Sequence, residues 1–383
     1  MRSILIHGGV EGDERTGAVS VPIYQSSTYR QDGIGGVRSG YEYARSGNPT
    51  REALEKLIAQ LEGGVAGFAF ASGLAAITAV LMLLKSGDKV LLSHNVYGGT
   101  YRLLDKVFSN LGIGYELVDA SDLVLLERSF SGDVKALVLE SPTNPLLEIT
   151  DLAAAAKLAR EHGALTIVDN TFMTPYLQRP LALGVDIVIH SGTKFLGGHS
   201  DLIAGLAVVA SEELAERLKF IQNATGGILQ PFDSWLLIRG IKTLAVRMDA
   251  HVKNASALAA RLKANPAVAK LYYPGLPGTK GAEVNDRQAS SGGAVLSFVL
   301  ANGYDPIAFS KAFNMIVFGE SLGGVESIVT HPATMTHAAI PAETREKLGI
   351  VDGLFRISVG IEDLRDIERE LEGAFTAARG GGL

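Results

Sequence analysis

The sequence predicts an α/β protein, with a mainly parallel sheet covered by helices on both faces and a smaller α/β region after it. Three observations carry that prediction. The chain has 383 residues, 47% of them hydrophobic, which is enough to bury a large core. From Thr50 to about Ala245, short apolar runs alternate with helical patterns. The uncharged run Val65 to Leu84, long enough to span a bilayer, is broken by Ser72-Gly73 into a strand-like half and an Ala/Leu-rich helical half.

The elements are taken in chain order. The first fifty residues are rich in Gly, Ser, Tyr and Arg and show no sustained period. Thr50-Arg51-Glu52-Ala53-Leu54-Glu55 reads as a helix start, with acids in the first turn. Strands are predicted at Gly67–Phe70, Lys89–Ser93, Tyr115–Val118, Ala136–Leu139, Leu165–Val168, Ile187–His190 and Leu206–Val209. Helices lie between them, most clearly Leu152–His162 and Glu212–Gln222. An amphipathic helix over Arg247–Lys263 leads into the second region. There, strands are predicted at Val268–Tyr272, Ala294–Leu300 and Leu354–Ser358, mixed with helices up to Ala378. The terminal Gly380-Gly381-Gly382 is expected to fray.

Composition excludes several classes. Thirty-five basic against 41 acidic residues give a net charge of −6, which argues against a nucleic-acid binder. Cysteine is absent, so disulfides, thiolate metal sites and a thiol nucleophile are excluded together. That absence fits a reducing cytoplasm. The apolar stretch near the N-terminus, Ile4 to Ile6, is too short for a signal peptide, and no membrane span is expected. The eight histidines show no ligand-like spacing, so no metal site is expected, and His190 reads as a packed, hydrogen-bonded residue.

Ligands of open α/β sheets collect beyond the carboxyl ends of the strands. Ala71-Ser72-Gly73-Leu74 comes after one strand and opens a helix, where free N–H groups suit a phosphate. Asp169-Asn170-Thr171 comes after another, and Ser191-Gly192-Thr193-Lys194 after a third. The last resembles part of a nucleotide P-loop, but Phe195 stands where Ser or Thr should meet magnesium. A strict Gly-x-Gly-x-x-Gly, a His-Glu-x-x-His and a Gly-x-Ser-x-Gly elbow are also absent. A lysine, an aspartate and a phosphate cradle without a nucleotide signature suit pyridoxal phosphate. Its aldehyde needs an amine, its ring nitrogen a carboxylate, and its phosphate N–H and hydroxyl donors.

The stretch Ser191-Gly192-Thr193-Lys194-Phe195-Leu196-Gly197-Gly198-His199-Ser200-Asp201 resembles the cofactor-lysine signature of the Cys/Met-metabolism family of pyridoxal-phosphate enzymes. The resemblance runs through the chain. It includes Tyr41 to Thr50, Tyr97-Gly98-Gly99-Thr100, Glu140 to Pro145, Val168 to Thr171, Glu320 to Gly324 and Arg356 to Gly360. It implies the aspartate-aminotransferase-like (type I) fold, with an N-terminal arm (1–49), a large cofactor domain (50–245) and a small C-terminal domain (246–383).

The resemblance also implies roles. Lys194 anchors the cofactor and shuttles protons, Asp169 pairs with the pyridine nitrogen, and Tyr97 stacks on the ring. Gly73 and Leu74 offer backbone donors to the phosphate, and Ser191 and Thr193 offer hydroxyls. Leu74 departs from the Met of many relatives, a change that a backbone contact should survive. Tyr43 and Arg45 match a pair that reaches the phosphate of a neighbouring subunit, within a homotetramer of active dimers. Arg356 matches the arginine that binds the substrate's α-carboxylate, with Ser321 and Asn144 as helpers. Glu140 is expected in a structural network, and Arg102 either near the far end of a long substrate or on a helix surface. The implied activity is a cytoplasmic C–S lyase that cleaves L-cystathionine by β- or γ-elimination, with Glu320 facing the distal ammonium. Cystathionine γ-synthase acting on an O-acylhomoserine is the alternative, and a non-catalytic cofactor-binding regulatory subunit a remote one.

Overall fold

The structure, a computed structural model, describes residues 1–10, 12–13, 15–338 and 342–379. The predicted Gly380-Gly381-Gly382 terminus lies outside them. Seven strands build the larger sheet: β1 (Ala66–Phe70), β2 (Lys89–Ser93), β3 (Gly114–Val118), β4 (Val134–Glu140), β5 (Leu165–Asp169), β6 (Ile187–Ser191) and β7 (Gly205–Val209). Each predicted strand is present, displaced at its ends by two residues at most. Their order is β1-β7-β6-β5-β4-β2-β3. Strands β2 to β6 pair in parallel, whereas β7 runs antiparallel to both β6 and β1. With β7 as the reversed strand between them, β1 points the same way as β5 and β6. The carboxyl ends of these three strands therefore open on one side of the sheet.

Side chains alternate faces along each strand, and this alternation sets the site. Ile167 of β5 and Ile187 and Ile189 of β6 pack on one face, with Phe70 and the helix Gly73–Leu81. Val168 and Val188 pack on the other face, against the helix Leu152–Glu161. Continuing the period places Asp169 and Ser191 on the face of the Gly73 helix, and Asn170 and His190 behind the sheet. His190 is fully buried there, with Nε2 2.6 Å from Glu62 Oε1. Asn170 Nδ2 donates to Glu62 Oε1 (3.2 Å) and to Gln178 O (2.9 Å), which ties this polar layer together, although Glu62 Oε2, Gln178 Oε1 and His190 Nδ1 are buried in it without a partner.

The helix at Pro49–Glu62 corrects the sequence reading. Its cap is Asn48, whose Oδ1 accepts from the N–H groups of Thr50 (3.0 Å) and Arg51 (3.2 Å). Such a cap contributes about 1 kcal/mol. Thr50 lies inside the helix, and its hydroxyl instead donates to Pro22 O (2.7 Å) and accepts from Tyr24 N (2.9 Å). The N-terminal segment is thus tied to this helix, and it carries a short helix of its own, Arg2–His7, with Leu5 buried.

The second sheet consists of β8 (Val268–Tyr272), β9 (Val295–Leu300), β10 (Val317–Phe318), β11 (Ile328–Thr330) and β12 (Leu354–Ser358), in the order β10-β11-β12-β9-β8. Strands β10 and β11, two and three residues long, are too short for a period to show in sequence. The helix Pro231–Lys242 is likewise an addition to the predicted elements. One buried apolar cluster runs from the helix Pro49–Glu62 through Leu244–Lys263 to Phe298, Phe309 and Phe355 beside the small sheet. Among the described residues, no helix is long and apolar enough to cross a membrane.

Candidate active site

A cavity of about 330 Å³ lies where the carboxyl ends of β1, β5 and β6 meet the small sheet. It is lined by Gly73, Leu74, Tyr97, Asn144, Asp169, Ser191, Thr193, Lys194, Glu320, Ser321 and Arg356, together with Glu140, among others. Apart from Tyr43, Arg45 and Arg102, every expected site residue thus reaches one cavity.

The floor is set by the large sheet. Ser72 caps the helix Gly73–Leu81, its hydroxyl accepting from Ala75 N (3.1 Å). At Gly73 a Cβ would sit 3.1 Å from Ser191 Cβ and 3.3 Å from its Oγ, so glycine keeps this pocket open. Asp169 Oδ1 accepts from Thr171 N (3.0 Å) and Thr171 Oγ1 (2.5 Å), and Thr171 Oγ1 accepts from Ser191 N (2.8 Å). Thr171 therefore ties the ends of β5 and β6 together. Its position two residues after an aspartate is the sequence signal for such a turn. Burial pushes the Asp169 carboxyl up, against the hydrogen bonds of Thr171 and the pull of His190 and Lys194. Thr193 Oγ1 accepts from Ala204 N (3.0 Å) and makes only a long donation to Ala204 O (3.4 Å). Tyr97 precedes the helix Gly98–Leu103, and its N–H donates to Glu140 Oε1 (2.7 Å). Its ring folds over Gly99, where a Cβ would stand 2.3 Å from Tyr97 Cε1. Burial, then the charge of Asp169, pushes the Glu140 carboxyl well up.

The opposite wall comes from the small sheet. Arg356, buried in mid-β12, donates through Nη1 to Asn144 Oδ1 (2.8 Å). Its Nη2 donates to Ser321 O (2.9 Å) and to Thr330 Oγ1 (3.2 Å) on the neighbouring strand. Arg356 Nε is buried without a partner. Ser321 adopts φ +113°, a conformation that costs a non-glycine residue free energy and clusters at functional sites. Its hydroxyl accepts from Lys194 Nζ (2.8 Å). Burial and then the Arg356 charge pull the Lys194 ammonium down to about 8, against Glu320 and Asp169. Burial likewise pulls Arg356 down to about 10.

Tyr43 and Arg45 stand apart from the cavity. The Arg45 guanidinium lies over the Tyr43 ring at 5.4 Å and donates to Asn223 O (2.7 Å) and Asn223 Oδ1 (2.6 Å). Arg102 is an exposed residue of the helix Gly98–Leu103 and does not line the cavity. The cavity also takes in Ser72 of the expected phosphate cradle and Thr171 of the Asp169 motif, together with Pro142, Phe172, Ile203 and Thr336, to which the sequence reading gives no role.

These features fit pyridoxal phosphate. The Asp169 carboxylate reaches the cavity from the end of β5 without a cationic hydrogen-bond partner of its own. An amine with a depressed pKa stands in the same cavity, and a nine-residue helix opens on it with its N–H groups.

Comparison with known proteins agrees. The family model for the Cys/Met metabolism PLP-dependent enzymes matches residues 2–376. A cystathionine beta-lyase of Lactococcus lactis subsp. cremoris is 54% identical over 98% of each chain. A cystathionine gamma-lyase of Bacillus subtilis (strain 168) is also 54% identical, over 97% of each chain. The crystal structure of cystathionine gamma-lyase from Lactobacillus plantarum, complexed with L-serine, superposes with a TM-score of 0.97 at 50% identity and covers 99% of both chains.

Proposed function

The chain belongs to the Cys/Met metabolism PLP-dependent enzyme family and is a pyridoxal-phosphate enzyme, and from that premise we propose that it is a C–S lyase cleaving L-cystathionine by β- or γ-elimination. The observation that carries the reading is the hydrogen bond from Lys194 to Ser321, which joins the amine of one wall to the residue that also engages Arg356 from the other.

In this reading Lys194 would anchor the cofactor's aldehyde and Asp169 would pair with its ring nitrogen. Tyr97 would stack on the ring, and Gly73, Leu74, Ser191 and Thr193 would hold the phosphate. When bound, pyridoxal phosphate supplies a conjugated ring that takes up the electron pair left on the substrate's α-carbon. Arg356 orients the amino acid by offering its guanidinium, held by Asn144 and Ser321, to the α-carboxylate. Lys194 Nζ takes the α-proton, a task suited to an amine whose pKa lies near 8. Tyr97 and Lys194 are the groups positioned to deliver a proton to the departing sulfur. Glu320 in the cavity wall gives the distal ammonium of a diamino acid a counter-charge.

The same reading divides the chain into an arm (1–49), a large domain (50–245) and a small domain (246–383). The strands of one sheet fall between 66 and 209, and those of the other between 268 and 358. It further places the protein in the cytoplasm as a homotetramer of active dimers. The half-exposed Tyr43 and its stacked Arg45, remote from their own cavity, then serve a neighbour's phosphate. Light scattering on the purified protein checks the assembly.

Product analysis with cofactor-loaded protein and L-cystathionine alone tests the activity. Homocysteine with pyruvate reports β-elimination, and cysteine with 2-oxobutyrate reports γ-elimination. Neither pair would sink the lyase and favour γ-replacement on an O-acylhomoserine. Failure to react with any amino acid would leave a cofactor-binding regulatory subunit.

A further inference from the structure

His94 lies just beyond the end of β2, where the chain leaving β3 and the turn after β4 converge. Its backbone N–H extends the ladder to Val118 O (2.9 Å). Its ring sits between two carboxylates, with Nε2 3.1 Å from Glu148 Oε2 and Nδ1 4.0 Å from Asp119 Oδ1. The adjacent Asn95 Nδ2 donates to the same Glu148 oxygen (2.7 Å). Two residues after Asn95 comes Tyr97. On the other side, Glu148 closes the turn that contains Asn144. Glu148 N donates to Thr143 Oγ1 (3.0 Å), and Thr143 N donates to Glu148 O (3.0 Å). Asn144 in that turn carries Arg356 on its side chain, and its carbonyl accepts from His337 Nε2 (3.1 Å).

We propose that His94, as an imidazolium between Glu148 and Asp119, is a positioning residue that clamps the Tyr97 turn to the Asn144 turn and so tunes the site's affinity for the substrate's carboxylate. The proposal rests on the reading that Arg356 and Asn144 receive that carboxylate.

Glu148 faces the ring from the turn after β4 and Asp119 from the end of β3. Lys280, from the loop before the helix Ala282–Gln288, reaches Ser121 Oγ (2.9 Å) beside Asp119. Burial alone would lower the His94 pKa, but the hydrogen bond and charge of Glu148, with Asp119 behind, raise it above the ordinary 6.5. Burial pushes the Glu148 carboxyl up, but the hydrogen bonds from His94 and Asn95, with the charge of His94, together hold it below the usual carboxylate range. A cation there makes the bond charge-assisted. Its loss leaves two mutually repelling carboxylates around a neutral ring. Because the folded value is raised, the clamp is complete below the unfolded pKa and loosens as pH rises through the folded one.

The test measures KM and kcat of the holoenzyme for L-cystathionine across the His94 titration, in the wild type, His94→Gln and Arg356→Lys. Ring-proton NMR tracks the histidines of the wild-type and Glu148→Gln holoenzymes in parallel. The wild-type KM is expected to climb through a titration above the ordinary imidazole value, with a smaller change in kcat. His94→Gln removes that limb and raises KM on the acid side roughly three- to tenfold. The His94 ring titrates above its ordinary value, and Glu148→Gln brings it down. A KM limb that survives in His94→Gln, or a His94 ring titrating at or below the ordinary value, overturns the clamp. The NMR readout decides this even where His94→Gln fails to fold. An unchanged KM in Arg356→Lys overturns the carboxylate reading, and with it the stated consequence of the clamp. A raised KM there with a pH-indifferent His94 overturns the clamp alone.

Discussion

The two walls of the cavity are built by different rules. On the large-sheet wall, Asp169 and Ser191 are the last residues of parallel strands, and Gly73 opens the helix after a third strand pointing the same way. Each position is set by strand direction and the alternation of side chains. On the small-sheet wall, Arg356 sits mid-strand, and its partners come from a neighbouring strand, a strained loop residue and the turn after β4. The first wall is local geometry repeated at several strand ends, and the second is convergence of distant segments. The first can fix a cofactor rigidly, while the second is where small shifts change what is recognised.

Breaking the first wall should be the larger insult. Lys194→Ala removes the amine that, in the proposed function, anchors the cofactor and carries the proton. Turnover is expected to fall by about a thousandfold or more, together with loss of the bound cofactor's characteristic visible absorbance. Retention of full activity would end the reading. A pH experiment probes the same amine in milder fashion. Only unprotonated Lys194 can attack the aldehyde, and its pKa is pulled to about 8. The rate at which apoprotein takes up pyridoxal phosphate should therefore fall about tenfold per pH unit below that value and level off above it. A stopped-flow rate indifferent to pH between about 6 and about 9 contradicts the depressed amine.

The second wall should respond in affinity. Arg356→Lys keeps the charge and loses the rigid fork on Asn144 and Ser321. KM for the amino acid is expected to rise about ten- to hundredfold, with kcat falling less. An equal fall in kcat and kcat/KM would instead assign Arg356 to the transition state alone.

The same contrast explains what the sequence makes visible. A lysine, an aspartate and a small-residue turn at strand ends can be found by reading the residues just after each apolar run, and the structure brings Lys194, Asp169 and Gly73 together as that rule requires. Arg356 carries no such mark, because an arginine in mid-strand reads as any strand residue until Thr330 and Asn144 are placed against it. Family resemblance alone reaches it. The stretch from Thr50 reads as a helix start by the acids of its first turn, and the helix begins one residue earlier, at Pro49, because Asn48 ahead of it supplies the capping acceptor in an extended backbone conformation. The Glu62–His190 pair joins residues 128 apart in the chain, and no local pattern announces it.

The smallest expected effect is also the one that tests whether the walls are coupled. Arg356 and Glu320 are the residues proposed to meet the substrate, yet both act on Lys194: the guanidinium lowers its pKa and the Glu320 carboxylate raises it. Neutralising either should move the plateau of cofactor uptake in opposite directions. Arg356→Met should shift it to higher pH, and Glu320→Gln to lower pH by a smaller amount. Glu320→Gln should also reduce, by a few-fold, the preference for L-cystathionine over an amino acid lacking the distal ammonium. If both substitutions moved the plateau the same way, the shift would come from altered packing or solvent access. If neither moved it, the walls would be electrostatically independent. Opposite shifts would mean that the charges placed to recognise the substrate also set the basicity of the amine that takes its proton.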